Sequence, residues 1–180
     1  DDPTNEERAV RFVVADGDGE ISDAVIREVA VIPVNDAPVV VTSEGSSSYV
    51  ENDPAIIIDS AVTVSDVDSP NFEGGKLTIS IAVNRQTTDR LTILSQGDGP
   101  GEINVSGTDV LYEGVVIGTY AGGYTSSNPL VVTLNASATP VSVLHLARRV
   151  AFHNSGDNPT DLTRTVSLMV SDGDGKTSLA

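Results

Sequence analysis

The chain has 180 residues, which is long enough for one domain of roughly 100–200 residues and a further segment. Its 10 Lys and Arg against 26 Asp and Glu give a formal charge of −16. This charge argues against nucleic acid and anionic membrane surfaces as partners, because both attract Lys and Arg. The chain has no Cys, which excludes disulfides and thiolate metal sites. No apolar run approaches the roughly 20 residues that span a bilayer, so no membrane insertion is expected.

An internal repeat links the two ends of the chain. Residues 1–24 align with residues 157–180 without a gap at a constant offset of 156, and 12 of the 24 pairs are identical. The identities include Arg8/Arg164 and the Asp-Gly-Asp-Gly runs at 16–19 and 172–175. We therefore expect the end of one repeat at 1–34, a linker at 35–38, and a further repeat that lacks its last strand at 39–180.

The first segment predicts a β-hairpin. Strands are expected over 8–15 and 22–34, with the Asp-Gly-Asp-Gly run as their turn, because Gly and Asp tolerate positive φ. The linker that follows reads Asn35-Asp36-Ala37-Pro38 and separates two apolar segments. It predicts a joint between two folded units that carries carboxamide and carboxylate oxygens.

Short segments rich in β-branched residues, punctuated by Gly, Pro and Asn, predict an all-β fold. Over 76–83, Leu77, Ile79 and Ile81 alternate with polar residues, as in a half-buried strand. One helix is expected at 141–149, after Thr139-Pro140. The pattern is typical of a β-sandwich with an elaborated middle region. The strands are expected at 39–42, 55–58, 61–65, 76–83, 90–94, 101–105, 110–112, 115–120, 130–134, 150–153 and 164–170.

Acidic side chains concentrate at the turns and at the linker. A strand over 22–34 would travel roughly 40 Å at about 3.3 Å per residue, so Asp16 and Asp18 would lie far from Asn35 and Asp36 in their own repeat. If repeats stack end to end, the equivalent turn of the next repeat, with its Asp172, comes to the joint. Asp174 belongs to the same turn. It is a further candidate metal ligand, as are Asp16 and Asp18 of the earlier copy.

A further acidic pair follows the predicted strand at 61–65. Asp66 and Asp68 are alternate residues, so both side chains can face one ion. Calcium takes six to eight oxygen ligands at about 2.3–2.6 Å, whereas magnesium demands a tighter octahedron. The sequence therefore predicts a calcium site at the joint. Its candidate ligands are Asp1, Asn35, Asp36, Asp66, Asp68 and Asp172.

Several motifs resemble those of cadherins and of bacterial cadherin-like tandem repeats. Val-Asn-Asp-Ala-Pro-Val at 34–39 resembles the linker between such repeats. Tyr-Val-Glu-Asn at 49–52 resembles their early glutamate motif, and Ser-Asp-Val-Asp at 65–68 resembles their paired-aspartate motif. Val-Ser-Asp-Gly at 170–173 is similar to the aspartate-glycine motif near the end of a repeat, and 14–17 is its earlier copy.

The resemblance implies calcium ligands at the matching positions. It implies Asn35, Asp36, Asp66, Asp68 and Asp172 at the linker, with Asp1 from the preceding repeat. It implies Glu51 and Asp157 for a joint at the other end of the repeat. The 156-residue period is longer than a cadherin repeat. Residues 85–155 are an elaboration. The patterns at 71–77, 105–108 and 117–119 resemble long repeats of large secreted bacterial adhesins and RTX-like proteins.

These features predict a non-catalytic module of an extracellular or cell-surface protein, in which calcium rigidifies the joints. Its expected partners are neighbouring repeats or copies, with surface glycans or other cells as further candidates. No enzyme is expected, because neither His145 nor His153 belongs to a recognisable catalytic pattern. Two alternatives stay open. Tyr112, Tyr120 and Tyr124 could form a carbohydrate-stacking platform, or the hairpin could assemble filaments by β-strand exchange.

Overall fold

The computed structural model describes residues 3–125 and 127–179 of the chain. The fold is mostly β, with several antiparallel sheets and one short helix, which confirms the predicted class in this coarse form. The chain divides into two compact units, Asp1–Asn35 and Asp36–Ala180. We call them unit 1 and unit 2. The division falls inside the segment predicted to be a linker. Within the described residues, no helix is long and apolar enough to cross a membrane.

Unit 1 is a hairpin of β1 (Arg8–Phe12) and β2 (Val25–Val29), paired antiparallel from Arg8↔Val29 to Phe12↔Val25. Both strands are shorter than predicted, and the prediction of one long strand over 22–34 is wrong. Arg8 donates from Nη1 to the carbonyl of Thr4 at 2.7 Å, which folds the preceding segment back on itself. Among the described residues, the ladder with β1 ends at Val29, and Pro33 has no N–H to contribute to a longer strand.

Unit 2 holds the other strands and the helix. The elements are β3 (Val39–Val41), β4 (Ile56–Ile57), β5 (Thr63–Ser65), β6 (Lys76–Val83), β7 (Asp89–Ile93), β8 (Ile103–Ser106), β9 (Asp109–Tyr112), β10 (Val115–Ala121), β11 (Leu130–Leu134), α1 (Pro140–Ala147), β12 (Val150–Asn154) and β13 (Thr165–Ser171). The largest sheet has the order β13-β6-β11-β10-β9-β8, a second sheet has the order β4-β12-β7, and β3 pairs with β5. All these pairings are antiparallel.

The core of unit 2 is built from alternating strand residues and from the helix. On β6, Leu77, Ile79 and Ile81 are buried, as their alternation predicts. They pack with Phe72 and with Leu146 of α1 in one hydrophobic cluster. Each such side chain stabilises the fold by about 1.5–3 kcal/mol when it is fully buried. The core therefore holds the sheets, β5 and the helix together.

The helix begins and ends where local chemistry dictates. Thr139 is the N-cap, and its hydroxyl accepts a hydrogen bond from the amide of Ser142 at 3.2 Å. Pro140 occupies the first turn, where a missing N–H costs nothing. The amide of Arg149 donates to the carbonyl of Leu146, and β12 begins at the next residue. The helix thus ends two residues before its predicted end at 149.

The sequence repeat is also a structural repeat. In unit 1, Asp16 Oδ1 accepts hydrogen bonds from the amides of Asp18 at 2.9 Å and Glu20 at 3.2 Å. In unit 2, Asp172 Oδ1 accepts the equivalent bonds from Asp174 at 2.8 Å and from residue 176 at 3.0 Å. The two glycines of each turn have positive φ, which a side chain would disfavour. The same residues therefore fold the same turn twice.

The two copies differ in what covers them. Phe12 is 55% exposed, whereas its equivalent Leu168 is 8% exposed. Val14 is 71% exposed, whereas Val170 is fully buried. The difference arises because β13 pairs with β6 along its whole length and joins the core of unit 2. Within unit 1, the described strand β1 pairs with β2 alone.

A buried ion pair joins the start of β13 to the start of β7. The Asp89 side chain is fully buried and lies 3.3 Å from Arg164 Nε, which is itself 12% exposed. Asp89 also accepts hydrogen bonds from Asn154 Nδ2 at 2.6 Å and from the amide of Gln86 at 2.6 Å. The carboxylate is therefore surrounded by donors, as a buried charge requires.

Arg164→Ala should destabilise unit 2 by about 3–5 kcal/mol, because it leaves the Asp89 carboxylate buried without a cation. The measurement is urea unfolding followed by far-UV circular dichroism. Arg8→Ala is the matched control at the equivalent position of unit 1. Since Arg8 is exposed, its removal should change the main transition by less than about 0.5 kcal/mol. Equal losses from the two variants would contradict the structural role of the ion pair.

Candidate metal centre

Two predicted ligand segments meet where β3 and β5 pair. Val39 pairs with Ser65, so residues just before β3 lie beside those just after β5. The amide of Asp36 donates a hydrogen bond of 2.8 Å to Asp68 Oδ2. Pro38 is buried between them and the strand. The sheet register thus brings Asp36 to the aspartate pair, as the sequence predicts.

The aspartate pair is held by its own backbone. Asp66 Oδ1 accepts hydrogen bonds from the amides of Asp68 at 3.2 Å and of Ser69 at 3.1 Å. The remaining oxygens, Asp66 Oδ2 and Asp68 Oδ1, are shielded from solvent and accept no hydrogen bond from any described residue. The Ser69 hydroxyl is also shielded from solvent and has no hydrogen-bond partner among the described residues. Three oxygens that could ligate a cation are therefore gathered within four residues.

The electrostatics of the pair are unfavourable by themselves. Burial raises the pKa of Asp66, and the neighbouring Asp68 carboxylate raises it further against the opposing effect of the two amides. Burying an ionised carboxylate costs free energy, because the group loses its hydration, unless a cation or hydrogen-bond donors replace the water. A cation beside both carboxylates would remove this penalty, because an opposite charge favours the ionised form.

Asp172 stands at the end of β13, which pairs with the first residues of β6. It is almost fully buried, and its Oδ1 closes the 172–175 turn. The backbone around it is packed so closely that a Cβ on Gly173 would lie 1.9 Å from the carbonyl oxygen of Glu73. Residues 66–75 lie between β5 and β6, and the end of this segment packs against the 172–175 turn.

The composition of the site limits what could bind. Among the described residues, no three His, Cys, Asp or Glu side chains form a group that could hold a metal ion. Two carboxylates converge, and calcium can complete its shell with carbonyl, amide, hydroxyl and water oxygens. Zinc sites are typically built from Cys and His, and this cluster contains neither. The donor chemistry therefore fits a hard cation such as calcium.

The predicted ligands in the two Asp-Gly-Asp-Gly turns include three exposed side chains. Asp16 and Asp18 are exposed in the unit 1 turn, and Asp174 is exposed in the unit 2 turn. Asn35, the last residue of unit 1, is half-buried. Asp1 lies outside the described residues.

Glu51 and Asp157 flank the end of β12 rather than the aspartate pair. Glu51 lies two residues from Tyr49, whose hydroxyl donates to the carbonyl of Asn154 at 3.1 Å. Asp157 follows Gly156, whose amide donates to Asn154 Oδ1 at 2.8 Å. The segments that contain these two acids thus both approach Asn154. A separate site at Glu51 and Asp157 stays a prediction.

Sequence reasoning missed two elements. The position of Ser69 directly after the Asp-Val-Asp run could have indicated a ligand. A serine at this position is equally typical of a turn. The sequence indicates only the arginine of the Asp89–Arg164 pair, because Arg8 and Arg164 are identical in the repeat. Its acidic partner lies 75 residues away from Arg164, and only the sheet register brings the two together.

The tyrosines do not gather in one place. Tyr112 packs against His145 with ring centroids 5.1 Å apart and an angle of 43° between the ring planes. Burial, and then the neighbouring Tyr124, raises the pKa of Tyr120. Val115 pairs with Tyr112, so Tyr120 lies five residues further along β10, roughly 17 Å away at about 3.3 Å per residue. The proposed stacking platform is therefore reduced to Tyr120 and Tyr124.

Asp66→Asn should stabilise the calcium-free protein at pH 7, because it removes a buried charge and keeps the oxygen that accepts the two amides. Since the pKa of Asp66 is raised in the folded state, its ionisation costs stability as the pH rises through that raised value. The advantage of the variant should therefore be largest at neutral pH. It should vanish as the pH falls below about 3.9, the ordinary value for Asp. The measurement is the urea midpoint in EGTA.

Asp59→Asn is the matched control with the opposite sign. Although burial opposes it, hydrogen bonds from Ser43 and Ala61 lower the pKa of Asp59. This carboxylate contributes stability above the ordinary Asp value and loses it as the pH falls through the lowered pKa. The variant should thus be less stable than wild type at pH 7, with a difference that narrows in acid. If both variants change the stability at pH 7 in the same direction, the opposite pKa shifts assigned to Asp66 and Asp59 are contradicted.

Comparison of the chain with protein-family models, with curated proteins and with solved structures finds no match.

Proposed function

We propose that the chain is a non-catalytic, calcium-binding module of an extracellular tandem-repeat protein with a structural or adhesive role. The calcium site lies at Asp66 and Asp68 of unit 2, with Ser69 and the Asp36 segment beside it. The sheets of unit 2 form an elaborated cadherin-like β-sandwich. Neighbouring repeats or other copies of the chain are its partners.

One observation carries this proposal. Asp66 Oδ2 and Asp68 Oδ1 are carboxylate oxygens that are shielded from solvent and have no hydrogen-bond partner among the described residues. Buried carboxylates in folded proteins are paired or coordinate a metal. Asp89 in the same unit follows this rule through Arg164. Within the described part of the chain, no Lys or Arg side chain forms such an ion pair with Asp66 or Asp68, and a bound divalent cation would supply the positive charge.

The expected effect of the ion is local. Asp68 already accepts the amide of Asp36 through Oδ2, so calcium on Oδ1 would fix this side chain between the loop after β5 and the chain before β3. The backbone of 35–38 would lose rotational freedom. In a chain of such repeats, restraint at each linker would favour an extended and protease-resistant protein.

The overall charge supports the same reading. A formal charge of −16 destabilises a compact chain through self-repulsion, and divalent cations reduce that repulsion. Calcium also suits a site of two carboxylates better than magnesium does. Magnesium requires near-ideal octahedral geometry, whereas calcium accepts irregular sets of six to eight oxygens.

Asp68→Asn should weaken calcium binding at least tenfold, measured by isothermal titration calorimetry, because it replaces the unpartnered oxygen with an amide nitrogen. A tenfold loss corresponds to about 1.4 kcal/mol. Asp109→Asn, a half-buried aspartate on β9, is the charge-matched control and should bind as wild type does. If both variants bind calcium as wild type does, or if wild type shows no saturable heat, the site is not at Asp68.

Calcium should slow hydrogen–deuterium exchange in peptides that cover 36–41 and 64–70. At a free concentration of 100 times Kd the added stability is about 2.7 kcal/mol, so local opening should slow up to about 100-fold. Peptides that cover the β8–β9 hairpin serve as the internal control and should exchange at the same rate in calcium and in EGTA. Uniform slowing across both regions would point to general charge screening instead of a site.

A further inference from the structure

The outer face of the large sheet of unit 2 carries a row of four side chains across four neighbouring strands. Lys76 of β6 pairs with Thr133 of β11. Thr133 also pairs with Thr119 of β10, and Thr119 pairs with Asp109 of β9. Residues directly opposite each other in a sheet point to the same face. The four side chains therefore form one continuous row with a cation at one end and an anion at the other.

This row points away from the core. The neighbouring positions Leu77, Val132 and Val110 are fully buried on the other face, as the alternation of side chains along a strand requires. The side chains of the row are exposed or half-buried. Within the part of the chain that the structure describes, none of the four side chains forms a hydrogen bond or an ion pair. The row is therefore accessible to another molecule.

The charges of the row are placed so that it complements a copy of itself. Lys76 and Asp109 are three strand spacings apart, which is roughly 14 Å at about 4.8 Å for each spacing. The two positions between them are both threonines. A two-fold axis that runs along the strands between β11 and β10 brings Lys76 of one copy over Asp109 of a second copy, and Asp109 over Lys76. Self-complementarity of this kind is what a two-fold symmetric contact requires.

The surroundings of the row are uncharged. Lys76 and Asp109 are the only charged residues in β6, β9, β10 and β11, so these strands are neutral in a chain with a formal charge of −16. In the next row, Val131 lies opposite Thr78 on one side and Ala121 on the other. These short side chains allow close approach of another sheet. The face is thus a place where two acidic copies can meet without bringing like charges together.

We propose that this face is the contact between two copies of the chain, which stack their large sheets face to face about that two-fold axis. The contact contains two equivalent Lys76–Asp109 ion pairs and places Thr133 of one copy over Thr119 of the other. Stacked sheets lie about 10 Å apart with their strands within about 30° of each other. The inference rests on the part of the proposed function that names other copies as partners, and it assigns a surface to them.

The size of the face predicts a weak complex. Six strands about 4.8 Å apart, each about five residues long at about 3.3 Å per residue, give a face of roughly 500 Å². Two copies therefore bury roughly 1,000 Å² in total, which is the size of weak and transient contacts. Repulsion between the acidic residues elsewhere on the two copies weakens the contact further. We expect association at protein concentrations of about 0.1–1 mM.

The test is sedimentation velocity of the full chain in EGTA, up to a concentration of about 1 mM. Lys76→Asp and Asp109→Lys should each weaken association at least about tenfold, because each variant puts two like-charged pairs into the contact. The double variant, with both substitutions, restores both pairs with reversed polarity and should associate within about threefold of wild type. Direct pairing within one copy cannot explain this rescue, since the two positions are roughly 14 Å apart.

Two control variants carry the same changes of net charge away from the face. Lys176→Asp and Asp161→Lys replace exposed residues and should associate as wild type does. Asp109→Asn keeps the shape of the side chain and should weaken association about threefold. This milder variant keeps the proposal testable if a charge reversal impairs folding, which far-UV circular dichroism would reveal.

A wild-type chain that stays monomeric up to about 1 mM overturns the proposal. So does a double variant that associates no better than the single variants, or a loss from Lys176→Asp equal to that from Lys76→Asp. Asp68→Asn separates this contact from the calcium site, because it should associate as wild type does in EGTA. If wild type binds no calcium but the charge reversals behave as expected, the contact is supported and the calcium site is not. If calcium binds at Asp68 but the chain stays monomeric, only the contact is overturned.

Discussion

The pairing of β13 with β6 is the interaction on which the rest of unit 2 depends. It joins residues roughly 90 positions apart in the chain and completes the six-stranded sheet at its edge. At one end of the ladder it brings Arg164 to Asp89, and at the other it presses the 172–175 turn against 73–75. Along its length it buries Leu168 and Val170. A single strand thus fixes a buried ion pair, part of the core and an acidic turn.

Two acidic sites in this unit show two solutions to the same physical problem. Asp89 is buried and receives a guanidinium and several hydrogen bonds from its own chain. Asp66 and Asp68 are partly buried, receive backbone amides on one oxygen each, and retain one shielded oxygen each without a hydrogen bond among the described residues. The first arrangement is self-sufficient. The second is what a cation site requires, and it underlies the calcium proposal.

The repeat makes the two units informative about each other. The same residues build the same turn and the same arginine contacts in both, so local structure follows local sequence. What surrounds those residues differs, and their burial differs with it. Strand β1 pairs with β2 and stays exposed, while β13 pairs with β6 and joins the core of unit 2.

The sequence by itself determined the β class, the helix after Thr139 and the repeated turn. These features depend on local chemistry: alternating side chains, N-capping and glycines with positive φ. The contact between Asp36 and Asp68 depends on the register of β3 and β5. The tertiary structure alone decided that β2 is short, that Asp89 pairs with Arg164, and that the tyrosines separate. It also decided which of the many carboxylates lose their solvent, because burial depends on residues far apart in the chain. The composition gives the number of charged side chains. The packing of the sheets decides which of these side chains are buried and therefore need a counter-charge or a hydrogen-bond donor.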